Sequence, residues 1–122
     1  MHTSEIGPEI WTRFLDHLSE QYRGDRICIQ VLRQETGVQS EAIDLPLMGI
    51  SNDYKASGGG RIEVMAGDSP DRHVSHSIFC PKHLSLMEND NGEPVAMKIE
   101  GEDGQTTLVH FGSQPNVDRE LM

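Results

Sequence analysis

The sequence predicts an α+β fold: an N-terminal amphipathic helix packed on a bent, mainly antiparallel sheet of five or six strands that curls toward a barrel. Three observations predict it. The apolar residues recur at offsets of three and four up to Tyr22 and mostly alternate after Arg26. Gly, Pro, Asn and Asp cut the alternating part into short runs. No second long amphipathic stretch exists to make parallel crossovers, so hairpin connections fit better.

The elements follow in order. Pro8 suits a first helical turn, where its missing N–H costs nothing, and Glu9 faces the positive end of the helix dipole. The stripe is Trp11, Phe14, Leu15, Leu18 and Tyr22, and Gly24 supplies a left-handed stop. Arg26 to Arg33 reads as a strand, and Val38 to Asp44 as a weaker return strand. Pro46 interrupts the alternation across 45–50, because it cannot donate to a ladder. Arg61 to Ala66 and Arg72 to Phe79 are further strands, with Val74, His76 and Ile78 on one face. Leu84 to Met87 reads as a short strand or a connection. Val95 to Glu100 and Thr106 to Phe111 form the clearest hairpin, with Asp103-Gly104 at its tip. The expected core is Trp11, Phe14, Leu15, Leu18, Ile27, Ile29, Val31, Leu47, Ile50, Ile62, Val64, Val74, Ile78, Met97, Ile99, Leu108 and Phe111.

A chain of 122 residues suits a single domain, with a core over 8–111 and frayed ends at 1–7 and 113–122. The net charge of -10 repels nucleic acid and anionic membrane surfaces and favours a basic partner or a divalent cation. No apolar run is long enough to span a bilayer, and 1–8 lacks the basic and apolar regions of a signal peptide. The expectation is a cytoplasmic protein. Cys28 and Cys80 then read as reduced, with no disulfide between them.

The candidate sites are few. His73, His76, Cys80 and His83 carry zinc-ligating atoms at close spacing, although alternation along a strand sends His73 and His76 to opposite faces. Cys80 with His76 or His83 is also a thiol and its base. Glu88 to Glu93 offers oxygen ligands but lacks a calcium-loop signature. Gly58-Gly59-Gly60-Arg61 is not a phosphate loop, since a strand follows it. With Tyr54 and Lys55 it reads as a surface loop for ligand or partner contact through Tyr54, Lys55 and Arg61.

Trp11 to Leu15, the Pro46 to Ser51 step, His76, Pro81 and the closing Asp103-Gly104 hairpin together resemble a small bacterial domain family of unknown function. The resemblance spans most of 8–111 and implies a stand-alone or accessory domain with no assigned catalytic residues. Two functional expectations result. One is a non-catalytic binding or accessory protein acting through protein contacts, with itself as a homodimer or with another protein, and without a cofactor. The other is a small metal-dependent enzyme, with zinc as the metal, or a thiol enzyme, centred on His76, Cys80 and His83.

Overall fold

The computed structural model describes residues 1–55 and 58–112. The strands are β1 (His2–Ile6), β2 (Arg26–Arg33), β3 (Gly37–Asp53), β4 (Arg61–Ser69), β5 (Arg72–Phe79), β6 (Pro81–Glu88), β7 (Pro94–Gly101) and β8 (Thr106–Phe111). A 3-10 turn over Pro8–Ile10 leads into α1 (Trp11–Tyr22). Among the described residues the strands run β1-β6-β7-β8-β2-β3-β4-β5, and every neighbouring pair is antiparallel.

This corrects the expected fold class. The molecule is mostly antiparallel sheet with one short helix. It is not a helix on five or six strands, because the described residues supply eight. Nor does the sheet close into a barrel: β1 and β5 end the order unjoined. Two strands depart from the expectation: 1–7, expected to fray, holds β1, and Leu84 to Met87, expected as a short strand or a connection, lies within β6. β1 is short and exposed along all but Ile6, yet pairs with β6 through His2↔Glu88 to Ile6↔Leu84. β6 occupies a stretch whose alternation is brief, and its Leu84 and Leu86 are buried. Residues 113–122, expected to fray, lie outside the described residues.

β3 explains the bend. It runs unbroken for 17 residues and changes partners on the way. Its first half pairs with β2, from Arg33↔Gly37 to Arg26↔Pro46. Its second half pairs with β4, from Leu47↔Ala66 to Asp53↔Arg61. The turn between them uses Asp44 in the left-handed region (φ 55°), Pro46, and a register shift between Leu47 and Gly49. Bulges and prolines bend a strand without ending it. The β3–β4–β5 layer is thereby carried back across the larger layer.

The core lies between these parts. Trp11, Leu15 and Leu18 of α1 join Ile27, Ile29, Leu45, Leu47, Ile50, Ile62, Val64, Ile78, Leu84, Met97, Ile99 and Val109 in one buried cluster. Phe14, Val74 and Phe111 pack against it while half-buried. Leu108, an expected core residue, is buried outside this cluster, because Met97 stands opposite Val109 and Leu108 stands opposite Lys98. On that other face Cys28 lies opposite His110, and both are fully buried. The Trp11 indole N–H donates to the Ile6 carbonyl at 2.8 Å, fastening β1 to the start of α1.

α1 has a second task. The Ile50 N–H donates to Ser19 Oγ at 2.8 Å, and the same hydroxyl lies 3.0 Å from the Ile50 carbonyl and 2.7 Å from that of Leu15. Next to it, Leu47 exchanges backbone bonds with the turn after the helix: Leu47 N to Asp25 O and Gly24 N to Leu47 O, both 2.9 Å. The helix and its stop thus cover the edge that β3 turns away from β4.

Candidate functional site

β5 carries most of the candidate chemistry. Ala66↔Val74, Val64↔His76 and Ile62↔Ile78 set the inward row. Ser75, Ser77 and Phe79 then fall on the outward row. His76 is half-buried, and its Nε2 lies 3.0 Å from Thr107 Oγ1 on β8, a side-chain bridge across the seam between β5 and β8. Burial holds its pKa below the ordinary value of 6.5; Glu41 opposes that shift and Arg33 adds to it. A neutral imidazole between two strands is a packing element that resists protonation. Beside it a cleft of about 400 Å³ is lined by Arg33, Ser75, His76, Phe79 and Asp103 among others.

Cys80 sits where β5 turns into β6, in the left-handed region at φ 52°. Its thiol donates to the Gly58 carbonyl, and its N–H donates to Gly60 O at 3.0 Å. Partial burial raises the thiol pKa, and the neighbouring Glu102 carboxylate raises it further. An activated nucleophile needs the opposite shift. The glycine loop folds tightly here. Gly58, Gly59 and Gly60 all have positive φ, and a Cβ on Gly59 would lie 3.4 Å from Cys80 Sγ.

His83 is exposed on β6 and pairs with Glu5 of β1, Nδ1 to Oε2 3.1 Å. His73 is exposed opposite Gly67. The four residues nominated for zinc are therefore engaged separately, at the seam, the β5–β6 turn, the β1–β6 edge and the β4–β5 hairpin. Among the described residues no group of three His, Cys, Asp or Glu side chains is arranged to hold a metal ion. In the acidic turn, Asn89 Oδ1 accepts from the N–H groups of Asn91 and Glu93 at 2.9 and 3.0 Å, so one of its oxygens serves the turn.

The contact residues Tyr54, Lys55 and Arg61 lie at one end of the β3–β4–β5 layer. Asp53 pairs with Arg61, and Arg61 pairs with Phe79, so the three form one row at the end of the β3–β4–β5 layer. Arg61 Nη2 lies 4.0 Å from Asp53 Oδ2. Tyr54 continues from this row, with Lys55 Nζ 5.7 Å from its ring centroid. A Cβ on Gly60 would lie 3.6 Å from Tyr54 Cα, which shows how closely the loop approaches. Tyr54 and Phe79 are 69% and 62% exposed, a high value for aromatic side chains.

Phe79 was not singled out from the sequence. Its signal was present: it is the lone large apolar residue on the serine-bearing row of β5. His110 was also missed. It is fully buried, with Nε2 2.9 Å from Gln30 Oε1. Nothing in the alternation of β8 distinguishes a buried histidine from a solvated one.

Among the described residues no helix is long and apolar enough to cross a membrane. The model of a family of unknown function, DUF5335, matches residues 2–120. An uncharacterized protein of Aquifex aeolicus (strain VF5) is 28% identical over 111 residues, covering 91% of this chain and 93% of its own length. No solved structure matches the chain. The motif resemblance thus holds at the level of the family, and the chain belongs to DUF5335, a family of unknown function.

Proposed function

We propose that this chain is a non-catalytic accessory protein that works through protein contacts, and that the Tyr54–Arg61–Phe79 end of the β3–β4–β5 layer is its contact surface. The observation that carries the reading is the exposure of two aromatic side chains, 69% for Tyr54 and 62% for Phe79, around a ladder row holding Arg61. Aromatic residues and arginine are the side chains that interfaces enrich, because they bury much area at little entropic cost. The charged atoms are arranged for such a role. Arg61 is only loosely held by Asp53 at 4.0 Å, and Lys55 rests over an aromatic ring.

The test is site-specific photo-cross-linking from position 79 in the cells from which the chain comes. The reading expects one discrete protein adduct that is lost on Arg61→Glu, while circular dichroism shows the variant folded. Equal labelling from position 79 and from exposed Glu20 on the helix would reject it. Sedimentation velocity on the purified chain decides whether the partner is a second copy.

A further inference from the structure

We infer that the first half of β3, residues 37–44, is a docking edge for an extended basic segment of another protein, which adds to the sheet as a further strand. This lies on the other half of β3 from the Tyr54–Phe79 surface, so the two ideas can fail independently.

The main chain makes the first argument. Among the described residues, 37–46 of β3 find ladder partners only on β2, and pairing with β4 begins at Leu47. Among the described residues, one side of the first half therefore presents N–H and C=O groups without a ladder partner. Edge strands are usually covered, shortened or studded with lysine. The same edge is filled by β4 from Leu47 to Asp53. Among the described residues the first half has no such cover beyond two register shifts against β2, and Val38 and Ile43 are 59% and 62% exposed. An eight-residue stretch of this kind is about 26 Å long, enough for several ladder bonds.

The surroundings choose the occupant. The edge opens on a cleft of about 370 Å³ between Ser40–Ile43 and the start of β5. Glu41 and Asp71 line it. Its arginine, Arg72, is already paired with Asp68 at 3.2 Å, so the balance is acidic. The whole chain adds a charge of -10. A second copy fits poorly. Antiparallel self-pairing centred on Glu41 would set that carboxylate against its twin, and like charges opposite one another destabilise a ladder. A foreign strand that sets lysine or arginine against Glu41 and Asp71 meets the backbone and the charge together.

The probe is a short synthetic peptide alternating valine and lysine, titrated into the isotope-labelled full chain and followed by amide shifts. Two companions accompany it: the same peptide with glutamate for lysine, and the lysine peptide N-methylated at alternate amides. The expected result is saturable shifts over residues 37–44. Affinity should fall about tenfold with the glutamate peptide and by at least as much on N-methylation. Glu41→Lys, a change at an exposed position, should narrow or reverse the charge preference while the remaining spectrum is unchanged. Equal binding of the methylated peptide would mean attraction by charge alone and would overturn the inference. So would shifts confined to other strands, or a stable dimer of the chain joined along 37–44.

Discussion

The two halves of β3 belong to one strand and solve the same problem differently. In the second half, the Ile50 N–H and C=O lie within 2.8 and 3.0 Å of Ser19 Oγ, and Leu47 is closed off by the turn after α1. In the first half β2 takes that side, and the opposite side, which β4 fills only from Leu47 onward, has no ladder partner among the described residues; Val38 and Ile43 there stand in solvent. The difference teaches that edge protection here is local. One hydroxyl on a helix can stand in for a strand on one edge, while the opposite edge is protected only as far as β4 reaches.

The largest blow to this contrast is Leu15→Ala. Leu15 is fully buried and holds α1 to the cluster. Its truncation should cost about 2–5 kcal/mol, read as a lower denaturant midpoint. Amide exchange at Ile50 should accelerate far more than at Ser40; equal acceleration would break the contrast. Ser19→Ala is the sharper instrument. It leaves the Ile50 groups buried without their partner, and the expected loss is about 1–3 kcal/mol by the same measurement.

A smaller effect concerns pH. In the folded chain burial holds the His76 pKa below 6.5, and the unfolded chain lacks that burial. As the pH falls, the unfolded state takes up the proton first. The His76 contribution is therefore fully present above 6.5 and is lost as the pH drops through the depressed folded value. Melting temperatures of the wild type should decline more steeply below 6.5 than those of His76→Gln; parallel declines would show that burial does not hold the His76 imidazole neutral in the folded chain. The smallest effect is Ile43→Thr. At an exposed position on the bare edge it should change stability by less than about 0.5 kcal/mol. A loss much above that, in a denaturant titration, would show that the edge is not bare.

The helix and the closing hairpin were legible because certain residues had few alternatives, although the fold class built from them was not. Trp11, Leu15 and Leu18 at helical offsets, bounded by Pro8 and Gly24, allowed one reading, and Gly24 does adopt φ 88°. Asp103-Gly104 between two alternating runs marked the β7–β8 hairpin. What was not legible depends on distant partners. His2–Ile6 has a strand's extended backbone only because β6 offers an edge and Ile6 a place against the core. Pro46 looked like a break, yet β3 passes through it at the point where the strand changes partners. At the candidate sites, the Tyr54, Lys55 and Arg61 cluster was readable from proximity in sequence. Phe79 was not, because its adjacency to Arg61 is a matter of register. Spacing also made the His73, His76, Cys80 and His83 cluster look closer than it is, since three of them have separate partners on β1, β8 and the glycine loop.

One strand threading both layers has a mechanical implication. The covalent chain couples them, so neither should melt as an independent unit. Calorimetry should then record one cooperative transition, and the slowest-exchanging amides on either side of Pro46 should share a common opening free energy.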